Sequence, residues 1–321
     1  MKKLNKLFFV SISIFLSLSL LFSGCSPKNN TENSNKKEKV STENKNISKN
    51  TSQKNTDKPK TNAVKESVKD KLTIHYINVG QGDAELIQFK GKNLLIDAGP
   101  NKSSEQLLTY LRRTGVKRLD FVIATHPHED HIGNMDDVIR EFEIGEFIAP
   151  KVSANTKSFE WMLKNLKSKG LKITTAKAGL KLDIHKNLKC EFVAPNKDKY
   201  DDLNNYSAVV KLTYGKNRFL FTGDAETLSE KEILAKGFDI SADVLKFGHH
   251  GSSTSSSKDF LRKVNPKIGI VSCAKGNNYG HPHKETLSKI KEFQIKTYRT
   301  DIDGDIILVS DGSNIQKLNK K

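Results

Sequence analysis

The sequence predicts an α/β fold in which sheets are covered by helices on their outer faces. Three observations carry that expectation. Apolar runs with the period of strands interleave with segments of helical period along most of the chain. Several consecutive runs are separated only by tight turns, the spacing of directly paired strands. At 321 residues the chain is long enough for one large domain or two modest ones with a substantial core. No repeat of fixed short period is visible.

The first residues stand outside that pattern. Lys2, Lys3 and Lys6 precede an uncharged apolar and serine run from Leu7 to Phe22, followed by Ser23-Gly24-Cys25. A basic start, an apolar centre and small residues before a cleavage point read as an export signal. At 16 residues the run is short for a spanning helix, which needs roughly 20. With a cysteine placed straight after the small residues, the segment resembles a bacterial lipoprotein signal. That resemblance implies lipidation of Cys25 and anchorage on the outer face of the cytoplasmic membrane. From residue 26 to 70 Lys, Asn, Ser, Thr and Glu dominate, a composition too poor in large apolar groups to offset ordering entropy, so a disordered tether is expected.

Of the net charge of +17, the signal accounts for +3 and the tether, with 11 lysines and six acids, for +5. The remaining +9 belongs to the domain expected over residues 71–321 and suits an anionic partner such as DNA or a wall polymer. Cys190 and Cys273 each sit in an apolar strand-like run without CxxC spacing, so buried free thiols are expected rather than a cysteine metal site.

The domain opens with Leu72 to Val79, a glycine-rich turn at Gly80 to Gly82, Ala84 to Phe89, a turn at Lys90-Gly91-Lys92, and Asn93 to Asp97. These read as three strands joined by tight connections. From Ser103 to Thr114, Leu107, Leu108 and Leu111 share a helical face. Leu119 to Thr125 is an apolar strand. Further strands are expected at 146–150, 171–175, 188–194, 207–214, 218–222, 243–247, 268–272 and 305–310, with helices around 133–141, 157–169, 226–236, 257–264 and 284–292.

The stretch "THPHEDHIGN", residues 125–134, carries the chemistry. In extended backbone His126 and His128 point the same way, and Asp130 and His131 follow before Gly133 lets a helix begin. Imidazoles and a carboxylate converging at the end of a buried strand are a ligand set for Zn²⁺ or a related divalent ion. No GxSxG or P-loop pattern occurs, which argues against a serine nucleophile or nucleotide-driven chemistry.

"THPHEDH" resembles the signature of the metallo-β-lactamase fold, and other segments follow in the family's order. "LLIDAG" (94–99) resembles its early aspartate motif, "FLFTGDAE" (219–226) the segment that supplies a bridging aspartate, here Asp224, and "LKFGHHGSSTS" the segment that supplies a last histidine, His249 or His250. The resemblance implies a four-layer αββα fold and one or two divalent ions, Zn or Mn, held by His126, His128, Asp130, His131, Asp224 and His249 or His250. Where many members carry a third histidine, "DLNNYSAVVKL" offers Asn204, Asn205 and Ser207. Together with "INVGQGDAELI" and "NNYGHPHKETLSKI", these segments look like the metallo-β-lactamase-like domain of ComEC competence proteins, which is proposed to degrade the DNA strand that is not imported.

That likeness implies a metal-dependent phosphodiesterase acting on DNA at the cell surface, with a separate membrane channel left open as a partner. In such a site a divalent ion lowers the pKa of its water from about 15.7 to about 7. Asp130 is expected in the catalytic centre. His281 and His283 either hold substrate phosphate and donate a proton, or cap a helix at the surface. Ser252 and Ser253, like Asn205 and Ser207, are candidates to hold substrate, the two serines alternatively only turning the chain. Asp83 either nears the site or caps a turn, and Asp97 is expected to support the histidine loop. A phosphodiesterase of teichoic acid or phosphocholine, a lactonase, and a non-catalytic DNA-binding module are the rival readings.

Overall fold

In the computed structural model, residues 70–318 are described. The expected export signal, Cys25 and the tether up to Lys69 lie outside them.

Strands β1 (Leu72–Tyr76), β2 (Glu85–Phe89) and β3 (Lys92–Ile96) are followed by α1 (Ser104–Arg113) and β4 (Arg118–Ile123). Then come α2 (Glu129–Ile132), α3 (Met135–Glu141), β5 (Glu143–Ala149), α4 (Lys157–Ser168) and β6 (Ile173–Thr175). The second half runs β7 (Lys181–His185), β8 (Leu188–Ala194), β9 (Val209–Tyr214), β10 (Asn217–Phe221), α5 (Thr227–Ala235), β11 (Val244–Lys246), α6 (Lys258–Val264) and β12 (Ile268–Val271). It closes with α7 (Lys284–Glu292), β13 (Lys296–Arg299), α8 (Thr300–Asp303), β14 (Ile306–Ser310) and β15 (Ile315–Leu318).

Two sheets result, in the orders β15-β14-β1-β2-β3-β4-β5-β6 and β13-β12-β11-β10-β9-β8-β7. Each combines an antiparallel meander with a run of parallel strands. The parallel run is β3 to β6 in the first sheet and β10 to β13 in the second. The parallel crossovers α1, α3, α4, α5, α6 and α7 cover the outer faces.

Strand alternation explains the layering. Leu72, Ile74 and Tyr76 on β1, Ile87 and Phe89 on β2, and Phe219 and Phe221 on β10 share one core cluster, which fills the space between the sheets. Leu86 and Leu95 face the other way and pack with Leu107, Leu111, Val138 and Met162 of the first sheet's helices. Leu220 and Leu245 pack with Ile233, Phe260 and Leu261 of the second sheet's helices. The architecture is the expected helix, sheet, sheet, helix arrangement. Cys190 and Cys273 are buried free thiols. Among the described residues no helix is long and apolar enough to cross a membrane.

Two local expectations are corrected. The first strand ends at Tyr76 rather than Val79, because the chain turns off to place residues 78–83 beside the histidine loop. The helix expected from about 133 begins earlier, as the one-turn α2, so Asp130 and His131 lie on helical backbone rather than following an extended strand end.

His75, on the outward face of β1, is buried against Tyr110, whose hydroxyl lies 2.9 Å from its Nδ1. Burial pushes its imidazole down to about 4. The folded value lies below the unfolded one of about 6.5, so its contribution is intact above pH 6.5 and is lost as pH falls toward 4. On moving from pH 7 to pH 4, His75→Gln should therefore lose about 2–3 kcal/mol less stability than the parent in urea unfolding.

Candidate metal centre

The histidines and carboxylates of the centre lie mostly just beyond the C-terminal ends of parallel strands. Asp97 follows β3, residues 126–131 follow β4, Asp224 follows β10, His249 and His250 follow β11, and His281 lies in the segment after β12. Ligand crevices of α/β sheets form at such strand ends, where the loops of neighbouring strands meet. Here the ends of two sheets meet.

Asp130, His131, Asp224 and His250 each present one ligand atom, and the four atoms lie within 4.8 Å of one another. His131 Nε2 is 3.2 Å from Asp224 Oδ1, and His250 Nε2 is 3.1 Å from Asp130 Oδ2 and 3.5 Å from Asp224 Oδ2. His131 Nε2 and Asp224 Oδ1 are both buried without a hydrogen-bond partner. Orphaned buried polar atoms are rare because they are costly, and two of them within a set of two imidazoles and two carboxylates fit a divalent cation.

The outer nitrogens of these histidines are held. His131 Nδ1 is 2.7 Å from Asp97 Oδ2, and Asp97 also accepts from the Thr125 amide at 2.8 Å and the Thr125 hydroxyl at 2.7 Å. His250 Nδ1 lies 3.0 Å from the Ser272 carbonyl and 3.3 Å from Asp83 Oδ1. With Nδ1 occupied in each case, Nε2 is left for a ligand.

Between His249 and His250 the geometry discriminates. His250 is buried within the tetrad, whereas His249 is half-buried with Nε2 3.7 Å from Asp224 Oδ2. Both adopt left-handed backbone, with φ of 50° and 54°. That conformation is strained for non-glycine residues and persists where surroundings over-determine it. Here His249 donates its amide to the Gly223 carbonyl and accepts from the Ser252 amide.

His126 and His128 do share a side, but they bond to each other. Their nitrogens Nε2 and Nδ1 are 3.0 Å apart, and His126 Nε2 is 3.9 Å from Asp224 Oδ2. In place of a third histidine, Ser207 Oγ lies 3.4 Å from His126 Nδ1 and accepts the Asp224 amide at 3.1 Å. Ser207 therefore holds the loop and is buried beneath it.

One further expectation is corrected by geometry, and two that stood open are decided by it. Asn205 is buried, its side chain joining Glu226 and the Ser229 amide, and does not line the cleft. Ser252 is buried in its own turn, bonded to Thr254. His283 accepts at Nδ1 from the Ser253 amide at 3.0 Å and donates at Nε2 to the Tyr279 carbonyl at 3.0 Å, so neither nitrogen of His283 is free and Ser253 is its brace. His281 does line the cleft, with Nδ1 3.3 Å from Gln81 Nε2.

The least expected group is Lys246. Its ammonium is fully buried, ion-paired with Asp83 and bonded to the Phe247 carbonyl at 3.1 Å. On β11 it stands two residues from Val244 and so faces the first sheet, where Glu85 is also buried. A lysine at an inward position of the apolar run "DVLKFG" was the available signal. Gln81 was also missed, being one more polar residue in a glycine-rich turn.

The charges are strongly interdependent. Burial lowers the His250 imidazole, but the carboxylates of Asp224 and Asp83 and the bond to Asp130 outweigh it and raise the group to about 10. Burial likewise opposes protonation of His131, yet Asp224, Asp97 and Asp130 raise it well above its ordinary value. Burial would raise Asp224, but His131 and His250 hold it well below the usual carboxylate range. Glu85 is pushed well up by burial and then by the charge of Asp83.

Above the tetrad opens a cleft of about 810 Å³, whose lining includes Gln81, Lys102, Glu129, Lys275, Tyr279 and His281. Residues 77–275 match the model of the metallo-beta-lactamase superfamily. The chain belongs to that superfamily. It is 31% identical over 251 residues to ComE operon protein 3 of Bacillus subtilis, covering 73% of this chain and 32% of that one. It is 29% identical over 235 residues to competence protein ComA of Neisseria gonorrhoeae, covering 71% of this chain and 30% of that one. The chain thus spans about a third of these relatives. CmlA, a diiron β-hydroxylase from Streptomyces venezuelae, shares the fold with a TM-score of 0.51 at 13% identity, covering 77% of this chain and 54% of that one.

The superfamily fold implies divalent metal binding, and two tests follow. Loading metal at pH 7 should release roughly two protons per ion, from His131 and His250, with affinity rising as pH increases toward 10. Titration calorimetry in buffers of different protonation enthalpy reads this, and release of no protons would show that the two imidazoles are already neutral in the metal-free site. Lys246→Met should cost about 3–5 kcal/mol in urea unfolding by leaving Asp83 buried and unpaired. Adding Asp83→Asn should recover part of that loss.

Proposed function

We propose that the chain is a divalent-metal-dependent phosphodiesterase that acts on DNA outside the cytoplasmic membrane, held there by a lipid on Cys25. The convergence of Asp130, His131, Asp224 and His250 at the floor of an open polar cleft carries the reading of a metal-dependent hydrolase. Two features support DNA as the substrate. The relatives include a protein named for competence, and the domain carries net charge +9.

Asp130, His131, Asp224 and His250 would hold the ion, Zn or Mn. When bound, such an ion supplies an acidified water and a positive charge for the phosphodiester oxygens. The chain's own groups do the rest. Gln81 Oε1 accepts the Ala274 amide at 3.2 Å, which turns its Nε2 donor toward His281 Nδ1. The proton of neutral His281 then sits on Nε2. Burial, and then the neighbouring His250 and His249, push His281 down to about 4, so near neutral pH it is an uncharged hydrogen-bond donor. That suits it to hold a phosphate oxygen or the departing alkoxide. Lys102 and Lys275, both exposed on the cleft, attract the polyanion.

The decisive experiment measures metal content by elemental analysis and then cleavage of single- and double-stranded DNA with Mn²⁺, Zn²⁺ or Mg²⁺. The Asp130→Ala, His131→Ala double variant serves as control. We expect metal-dependent cutting that falls at least about 100-fold in the control together with metal content. Metal retained by the parent with DNA left intact would sink the DNA assignment and direct the same assay to wall phosphodiesters.

A further inference from the structure

One residue of the cleft does not belong with its polar surroundings. Tyr279 is 67% exposed, yet it stands on a braced loop. The Asn277 side chain accepts the amides of Tyr279 at 3.2 Å and His281 at 3.0 Å. It also donates to the carbonyls of Ala274 at 2.9 Å and His281 at 2.6 Å. From the other side His283 Nε2 donates to the Tyr279 carbonyl.

The ring itself is oriented. Tyr279 stacks on His281 with centroids 5.6 Å apart and planes at 21°. Among the described residues no other ring or cation packs on it. His281 in turn stands 6.1 Å from His250 and 5.4 Å from His249, so Tyr279 is two rings out from the metal ligands. An aromatic face held in place, wet on one side and bordering a lysine-bearing cleft, is a surface onto which a flat π system can stack.

We propose that Tyr279 is the stacking platform for an unpaired base next to the phosphodiester held in the cleft, so that the site favours single-stranded DNA. The proposal rests on the DNA reading given above. In a duplex the faces of each base are covered by its neighbours, and only an unpaired base offers a free face to a side chain. Sequence plays little part in such a contact, because every base has a π face. His281 then serves two ends, backing the Tyr279 ring and donating to the phosphate beside it.

Binding is measured by fluorescence anisotropy with the metal-loaded full chain and phosphorothioate-linked strands that resist cleavage, which separates recognition from cutting. The probes are an oligothymidylate of about twelve nucleotides and an abasic strand of the same length and charge. The parent should bind the base-bearing strand more tightly. Tyr279→Ala should weaken that binding by about 5- to 150-fold, the loss being confined to the base-bearing strand, and Tyr279→Trp should restore it. Equal affinity of the parent for both strands, or an equal loss on both in Tyr279→Ala, would overturn the platform while leaving the DNA reading intact. Failure of the parent to bind either strand would overturn both.

Discussion

The ion pair between Lys246 and Asp83, buried between the two sheets, is the contact on which the centre depends. Asp83, Asp97 and Asp224 are all buried close to one another, and Asp130 lies at their edge. Without an internal cation these carboxylates would repel one another in a medium that screens charge poorly. Lys246 comes from the second sheet and Asp83 from the turn before β2 of the first, so the pair also ties the sheets at the end where the ligands gather. A buried ion pair is a weak source of stability, since desolvation offsets most of its attraction. Its value here is positional: Asp83 Oδ1 is set 3.3 Å from His250 Nδ1, turning that imidazole's other nitrogen toward Asp224.

The same end of the molecule requires close backbone approach. A Cβ at Gly82 would meet the Asp130 carbonyl at 2.3 Å, and one at Gly133 would meet the Asn101 amide at the same distance. These glycines let the turn between β1 and β2 and the loop after β3 lie directly on the histidine loop. The Asp83 amide can then donate to the Asp130 carbonyl at 3.2 Å. The left-handed backbone of His249 and His250 belongs to the same economy of space, since it aims two successive imidazoles at Asp224 from one short turn.

Most of the fold was legible because interior strands and amphipathic helices write their burial into the sequence. The strands that went unread, β7, β13 and β15, are all edges of their sheets. An edge strand buries few residues, Leu182 and Ile184 alone in "KLDIH" and none fully in "IQKL", so its apolar run is too short to stand out. The ligand cluster was legible for the opposite reason: histidines and aspartates at this density have no role in an apolar core. What spacing could not reveal was direction. His281 and His283 share a spacing and a motif, yet one lines the cleft and the other is consumed by Ser253 and the Tyr279 carbonyl. The inward position of Lys246 was legible, but not its partner Asp83, which comes from the turn before a strand of the other sheet and 163 positions away in sequence by residue number.

Ser207, buried beneath the histidine loop, shapes the centre's asymmetry. Ser207 holds the Asp224 amide and approaches His126 Nδ1, so it fixes the loop that carries the Asp224 carboxylate while adding no strong ligand. On that side His126 and His128 satisfy each other at 3.0 Å. On the other side His131 Nε2 and Asp224 Oδ1 have no hydrogen-bond partner. An ion entering the tetrad gives up the bond between His250 and Asp130 but relieves two orphaned atoms, whereas an ion at His126 and His128 gives up their bond with no such atoms to relieve. We therefore expect the two positions to be unequal, so that metal titration of the chain reads one tighter site at the tetrad and one weaker site at the histidine pair.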